Sequence, residues 1–549
     1  MSRKLWHFPG GLHLPDNKAM STGQASSQAA VPERLIIPLQ QHIGAPAKPL
    51  VGVGDKVLKG QKLAKPEGYV SAPVHASSSG TVVAIEEHAV PHPSGLSARC
   101  IIIETDGEDR WVELTPHPDY RQLDPSELRN IIRDAGIVGL GGAGFPAFIK
   151  LNPGSRMAVD TLILNGAECE PYITCDDILM RERADEVIYG ARIMRHALQA
   201  KQCLIGIEDN KPEALAAIRD ALERLGEKSI EAVQVPTRYP TGGEKQLIKI
   251  LTGKEVPSQG LPIDIGIVCH NVATAASIHR AVEMGEPLIS RLVTITGHGA
   301  AQPQNLEVRI GTSIASLLEQ AGGARPVPYK LVMGGPMMGF ELQNAQLPVI
   351  KTTNCLLLTT GEDAPERGPV HPCIRCGECA KVCPALLLPQ QLYWYARSKD
   401  FDKAQDHNLF DCIECGCCAY VCPSNLPLVQ YYRFAKTEIW AQEREKKAAD
   451  KARERHEFRL FRQEREKEER AARHKAKAKA VKKDGDEDTK KAAIQAAMER
   501  AKAKREAAAS EPQNTENLTD AQQKQIAEAE ERRKAMKGQN ATKEEANEE

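Results

Sequence analysis

Two runs in this chain, Cys373-x2-Cys376-x2-Cys379-x3-Cys383-Pro384 and Cys412-x2-Cys415-x2-Cys418-x3-Cys422-Pro423, repeat one spacing to the residue. Three thiolates two residues apart converge from a single tight loop while the loop's N–H groups face the enclosed sulfides, which is the geometry of a 4Fe–4S cube. The fourth ligand has to come from elsewhere. Where two such runs share a fold, the last cysteine of each serves the other cluster. This places Cys373, Cys376, Cys379 and Cys422 on one cluster, and Cys412, Cys415, Cys418 and Cys383 on the other, with Pro384 and Pro423 ending the ligand loops.

Zinc is the first rival, because Zn2+ also accepts four thiolates in a tetrahedron. Zinc ribbons, however, rarely carry the third cysteine and the Cys-Pro ending. A disulfide framework is disfavoured because Met1 to Gly11 has no hydrophobic signal core, and reducing compartments keep thiols free. Cys417 reads as a packed bystander beside the ligand Cys418. The other six cysteines, Cys100, Cys169, Cys175, Cys203, Cys269 and Cys355, are scattered and read as buried thiols.

With 549 residues the chain has room for several domains. A formal charge of −1 gives no footing for nucleic acid, and no apolar run is long enough to span a bilayer. The protein is therefore expected to be soluble or peripheral. Residues 441–549 hold 29 Lys or Arg and 25 Asp or Glu, a composition that builds no core.

Residues 33 to about 105 read as all-β, with short apolar runs such as Arg34-Leu-Ile-Ile-Pro38 and Cys100-Ile-Ile-Ile-Glu104 punctuated by Gly and Pro. Val53 to Leu63, Ser71-Ala-Pro73 and Ser79-Gly-Thr-Val82 resemble the lipoyl or biotinyl carrier hammerhead. Glu67-Gly-Tyr-Val70 stands where a carrier lysine would project, so the expectation is a docking scaffold without the modification.

A helix is signalled by Asp124 as N-cap, Pro125 at N1 and Glu127 at N3, ending near Gly136. It runs into Gly136-Ile-Val-Gly-Leu-Gly-Gly-Ala-Gly-Phe-Pro146, with Lys150 just beyond. So many glycines let backbone close on a phosphate or a flat ring, and a nearby lysine adds positive charge. The same pattern also suits a turn made only for packing. Strand and helix then alternate: a strand at Thr161–Asn165, a helix over about Asp177–Ala200, a strand at Cys203–Ile207, a helix at Pro212–Leu225 and a strand at Glu231–Val235. This is an α/β unit whose polar loops follow its strands, where open sheets bind ligands.

Gly136–Leu151, Asn165–Pro171, Tyr239–Lys245 and His270–Thr274 stand in the order and places of the flavin-binding motifs of the NADH-oxidising subunit of respiratory complex I. With the carrier-like front and the doubled cysteine run, the whole order, about Gly10 to Ala435, resembles the RnfC/RsxC family of the Rnf (Rsx) ion-translocating electron-transport complexes. The resemblance implies that Gly139, Gly141, Gly142 and Lys150 hold the FMN phosphate and ribityl chain. It implies that Asn165, Glu168, Gly242, Glu244, Asn271 and Thr274 line the rest of the flavin site, and that Phe145 and Glu170 meet NADH. Leu140, Ala167, Gly243 and His270 depart from the complex I residues, which are arginine, aspartate, glutamate and asparagine.

The fold class expected is thus a multidomain α/β and α+β chain. Its parts are a carrier-like β barrel-sandwich (1–115), a complex-I-type α/β FMN/NADH domain (116–288), a β-grasp, SLBB-like module (289–355), a helical ferredoxin-like domain with two 4Fe–4S clusters (365–435), and a charged helical to disordered tail (440–549). In the β-grasp module, short strands surround one helix, Ser313–Gln320, and the two methionines of Gly334–Phe340 read as core filler. Pro389–Asp406 reads as one amphipathic helix and another follows Pro427, with aromatics at Tyr393, Tyr395, Tyr431, Tyr432 and Phe434 to keep water off the iron. Breaks in the tail are expected at Gly485 and Pro512.

Hydride donors give two electrons together and iron–sulfur cubes take one, so a chain joining them needs a flavin between. The expected function is oxidation of NADH at FMN, or the reverse, with electrons passing through two 4Fe–4S clusters to other subunits of a membrane-bound complex that moves ions. The chain would sit peripherally on the cytoplasmic side of the bacterial inner membrane, touching it through partners and binding no nucleic acid. The rivals are a soluble diaphorase-type subunit and an electron-relay scaffold with a decayed flavin pocket.

Overall fold

Alternating burial along Arg34–Pro38 turns Leu35 and Ile37 inward, and the strand pairs antiparallel with Ser97–Thr105. Gly80–Ala89 and Lys56–Val57 complete a four-stranded sheet, and Lys48–Pro49, Lys62–Lys65 and Val74–His75 form a second sheet of three. Leu35, Ile37, Leu63, Val82, Ile101 and Ile103 fill the space between them. In the computed structural model, which describes residues 3–154, 158–363, 368–483 and 487–508, this barrel belongs to a unit ending at Glu443. The expected carrier tip leans on the glycine-rich segment: Tyr69 meets Phe148 edge-on at 6.2 Å, and the Ile43 N–H donates to the Gly144 carbonyl at 3.2 Å.

The α/β module is built on four parallel strands in the spatial order Ile230–Val235, Gln202–Glu208, Thr161–Gly166, Ile267–Asn271. The chain therefore reverses its winding between Thr161–Gly166 and Ile267–Asn271. At such a switch point the loops leaving neighbouring strands diverge and open a crevice. The helix before the glycine loop is Pro125–Asp134, with the Asp124–Glu127 capping box in place. The single helix expected over about 177–200 is two, Cys175–Glu182 and Ala184–Leu198. Arg183 leaves helical backbone between them (φ −134°) and pairs with Glu307.

A six-stranded sheet follows, in the order Ser27–Gln28, Gln304–Arg309, Ser290–Thr296, Cys355–Thr359, Lys330–Met333, Phe340–Glu341. Its central strand Cys355–Thr359 is wholly buried and extends past the boundary expected at 355. An unbroken apolar run carries no period-2 signal, which is why the sequence pattern passes it over. Ser27–Gln28 comes from the N-terminus. Residues ahead of the barrel form a strap: Phe8 packs with Ile163, Leu204 and Leu247, the Gly11 N–H donates to the Val382 carbonyl at 2.9 Å, and Ser27 pairs in parallel with Leu306.

Lys351 ties three modules together. Its fully buried ammonium donates to the carbonyls of Pro73 (2.9 Å) and Gly136 (2.7 Å), and its own N–H donates to Gln41 (3.0 Å). Burial alone pulls its pKa from 10.5 to about 7. Between those values the unfolded chain holds a proton that the folded chain has released, so this group makes stability rise with pH across the window. Lys351→Met is expected to remove that slope. The wild-type-minus-variant difference in thermal midpoint, followed through the window, checks it, and parallel profiles would refute the assignment.

The cysteine-rich module has short helices Glu378–Lys381 and Cys417–Tyr420 just inside the two loops, and longer ones at Pro389–Ser398, Phe401–Asp406 and from Leu428. The one helix expected over 389–406 is broken because Lys399 takes left-handed backbone (φ 59°) and the Asp400 carboxylate caps a new start. Tyr393 and Tyr432 are buried beside the ligand loops with Leu392 and Ala435, whereas Phe434 is exposed and meets Phe401 instead of covering the cysteines. The unit from Arg444 onward is helical to Lys483 and again over Glu487–Ala508. Its side chains are exposed where described, with intrahelical pairs such as Arg462–Glu466 and Arg465–Glu469. The breaks expected at Gly485 and Pro512 lie outside the described residues. Among the described residues no helix is long and apolar enough to cross a membrane.

Candidate flavin and iron–sulfur sites

The glycine loop closes on itself, the Gly139 N–H donating to the Phe145 carbonyl at 2.8 Å, and lies over the switch point of the parallel sheet. The Leu140 N–H donates to Thr274 Oγ1 at 3.0 Å, and a Cβ on Gly141 would stand 3.3 Å from that of Asn271. Gly141, Gly142 and Ala143 at the tip are exposed, and Gly142 sits in left-handed backbone (φ +113°) with open space where a side chain would be. Asn271 caps the helix Val272–His279 through the Ala273 N–H (2.8 Å) and donates from Nδ2 to buried Asp176 at 2.6 Å. Asn165 donates to the Gly242 carbonyl at 2.8 Å. Lys150 bridges the Cys269 carbonyl (3.1 Å) and Glu244. All ten residues assigned to FMN thus gather at the ends of Thr161–Gly166 and Ile267–Asn271.

The loop after Thr161–Gly166 is held from beneath by two buried lysines. Lys211 donates to the Ala167 carbonyl (2.7 Å) and Glu208 (3.1 Å), and Lys18 donates to the carbonyls of Glu170 (3.1 Å) and Ile173. Glu168, in left-handed backbone, accepts from the Asp176 (2.7 Å) and Asp177 (3.2 Å) N–H groups. Burial pushes its carboxyl up to about 8 against the pull of Lys18. Sequence reading missed Lys18, Lys211 and Asp176. Single charged residues far apart in the chain leave no local pattern.

Glu170 faces elsewhere. Its carboxylate accepts from the Met337 and Met338 N–H groups at 2.7 and 2.9 Å. The turn read as core filler is therefore a backbone donor, and Met338 is exposed. A Cβ on Gly416 in the second cysteine loop would meet the Met337 carbonyl at 2.9 Å, so loop and turn are in contact. Beside them Tyr239, the first residue of the motif whose Gly242 receives Asn165, donates its hydroxyl to the Cys415 carbonyl at 2.6 Å. Flavin motif and cysteine loop are joined directly.

The two cysteine loops share one backbone: Arg375 and Glu414 both have φ 58°, Gly377 and Gly416 both 80°. One cavity is lined by Cys383, Cys412, Cys415, Cys417 and Cys418. The Cys379 thiol is raised by burial and then by the neighbouring thiols of Cys376, Cys422 and Cys373. Cys383 thus lies among the thiols of the second run, the neighbourhood a cross-run ligand needs. N–H groups of Arg375 and Leu387 point at the sulfurs of Cys373 and Cys383, both at 3.4 Å, as a cluster's thiolates require. The donor set fits iron–sulfur cubes. The glycine cradle fits a flavin, and His270 beside it carries a buried Nε2 with no hydrogen-bond partner among the described residues. Cys417 is fully buried and lines the same cavity as Cys415 and Cys418, whereas Cys169 is only partly buried.

Comparison with known proteins defines a class first. Family models match residues 6–108 (RnfC barrel sandwich hybrid domain), 132–280 (Nuo51 FMN-binding domain), 292–341 (SLBB domain) and 372–426 (4Fe-4S dicluster domain). A flavin-binding fold and a two-cluster iron–sulfur fold in one chain describe an electron-transfer protein. Proteins named as the C subunit of the ion-translocating oxidoreductase complex are 53% identical over 468 residues in Pseudomonas aeruginosa and 51% over 501 in Serratia proteamaculans. These alignments cover 85% and 91% of this chain, and 60% and 70% of the relatives. The chain belongs to this RnfC family of ion-translocating oxidoreductase components. It spans three fifths of the length of the P. aeruginosa relative. A chain of an NAD+-reducing [NiFe]-hydrogenase crystal structure in the H2-reduced state aligns over 58% of this chain and 63% of its own at 19% identity. Its TM-score, 0.44, is too low for the likeness to bear on the fold.

Proposed function

We propose that this chain is the peripheral electron-entry subunit of a membrane-bound complex. It would oxidise NADH at FMN, or run in reverse, and pass electrons through two 4Fe–4S clusters to partner subunits that couple their flow to ion translocation. The proposed place is the cytoplasmic side of the inner membrane, reached through those partners. FMN supplies the exchange between paired and single electrons, and the clusters carry single electrons onward.

The chain's residues hold and insulate these groups. Gly139, Gly141 and Gly142 let backbone approach the phosphate and ribityl chain, and Lys150 supplies positive charge next to Glu244. Asn165, Glu168, Gly242, Asn271 and Thr274 would frame the ring. Phe145 would pack against the nicotinamide. Glu170, given to NADH by resemblance, is assigned instead to holding the Met337 turn against the cluster loop, because its carboxylate is already engaged there. Cys415 and Cys418 are buried while Cys376 and Ile374 are exposed, so electrons enter at the loop of Cys415 and leave at the loop of Cys376.

The observation that carries this reading is the Tyr239–Cys415 hydrogen bond. Tyr239→Phe is expected to keep full iron and flavin yet slow cluster reduction by NADH severalfold, since one hydrogen bond of ~1 kcal/mol at the junction is lost. Stopped-flow absorbance checks this, and an unchanged rate would remove Tyr239 from the path. The function as a whole is tested by anaerobic iron, sulfide and FMN content followed by NADH titration of the same sample. A second reading, a relay scaffold without working flavin, is favoured by buried Leu140 at the loop and by the mutual pairing of Lys150 and Glu244. Substoichiometric FMN, with clusters that stay oxidised under NADH, would establish that reading in place of the first.

A further inference from the structure

The two cysteine runs are copies whose register continues into the helices behind them, so that Tyr393 matches Tyr432, Ala396 matches Ala435 and Arg397 matches Lys436. The copies differ in where that last cation goes. Lys436 is turned inward, its side chain only 8% exposed, and donates to the carbonyl of the ligand Cys412 at 2.7 Å and to Glu414 at 2.8 Å. Arg397 is exposed, reaches the Tyr393 hydroxyl at 3.3 Å and lies over Trp394 at 5.5 Å. Glu414 also pairs with Arg433 at 2.8 Å, so its negative charge is matched and the charge of Lys436 remains in excess. In the first loop Arg375 occupies the place of Glu414 and is exposed, where water and salt screen it.

We infer that Lys436 makes the two iron–sulfur sites unequal, its buried ammonium favouring the reduced form of the cluster held by Cys412, Cys415, Cys418 and Cys383 and leaving the other untouched. The inference rests on the iron–sulfur reading above. Reduction adds one negative charge to a cluster, and a cation held in a low-dielectric setting against a ligand's own carbonyl stabilises that charge without screening. Burial works the other way. Cys415, Cys418 and Cys383 are all buried, which by itself disfavours the more charged reduced state. Lys436 offsets that penalty at the site nearest the flavin motif, so an electron crossing from the Tyr239 side finds an acceptor it can reduce. A lysine that merely stapled the loop would leave the potential alone.

Redox titration of the full chain, followed by electron paramagnetic resonance, decides the matter, with Cys376→Ala used to attribute the signals. Lys436→Met is expected to lower the potential of the inner cluster, the one held by Cys412, Cys415, Cys418 and Cys383, by a tenfold or greater shift in its reduction equilibrium, ~59 mV for one electron. The outer cluster should not move, and Lys436→Arg should restore the value. Glu414→Gln, which leaves the lysine and removes the anion, should shift the same cluster upward. Unchanged potentials in an iron-replete Lys436→Met protein, or a shift in the outer cluster, overturn the proposal. Should Lys436→Met lose iron, Glu414→Gln decides alone, and no upward shift refutes it. Iron and sulfide content of the wild type is measured first. A deficit there sinks the iron–sulfur reading itself and not the role of Lys436.

Discussion

Cys415→Ala should strip the inner cluster from the protein and leave NADH unable to reduce the remaining iron. Cys415 is one of five cysteines around a single cavity, and its carbonyl receives Tyr239. Ligation at a four-thiolate site is worth on the order of 10 kcal/mol of folding free energy in small metal domains, so the whole module should loosen. Cys376→Ala gives the contrast. It removes the outer cluster at the exposed end, and the inner one should still fill from NADH. Iron and sulfide analysis with paramagnetic resonance of both variants, before and after NADH, distinguishes the two. Equal reduction in both would contradict the order of electron passage proposed here.

Gly190→Leu is expected to empty the flavin site while sparing the clusters. A Cβ at Gly190 would stand 1.9 Å from the Ala275 carbonyl oxygen, so helices Ala184–Leu198 and Val272–His279 cross at a distance only glycine permits. Forcing them apart costs about 1–3 kcal/mol or more and moves the helix that begins with Asn271 and carries Thr274. Both residues leave their partners, Asp176 and the Leu140 N–H. Flavin fluorescence of the denatured supernatant against iron per chain measures the outcome. Full flavin retention would show that this crossing does not position the loop.

Much of this arrangement was legible in residue order. The cysteine spacings are local, and a local spacing fixes which thiols can share a loop. The cross-run sets rest on a rule for paired runs that the spacing alone does not carry. Alternating strand and helix with Gly at their junctions likewise marked the α/β unit and the glycine loop, whereas the reversal of strand order between Thr161–Gly166 and Ile267–Asn271 left no sign in the pattern. What escaped was long-range. Lys18 and Lys211 sit under the flavin loop only because the chain returns to it from both sides, and no period or motif encodes that. Helices broke at Arg183 and Lys399 because tertiary partners and left-handed backbone overrode a continuous apolar pattern. Glu170 was assigned by position in a motif, whereas the turn that captures it comes from a separate module.

The strap formed by the first thirty residues bears on how the molecule is made. Gly11 donates to Val382, and a Cβ on Gly10 would lie within 2.7 Å of the Cys383 backbone, yet Val382 and Cys383 leave the ribosome long after the strap does. At 5–20 residues per second, the earliest segment must wait roughly a minute or less for its docking partner. The closure of Gly10 and Gly11 on Val382 and Cys383 is therefore a late event in biogenesis. Phe8 finds Ile163, Leu204 and Leu247 much earlier, so the strap would dock in two stages.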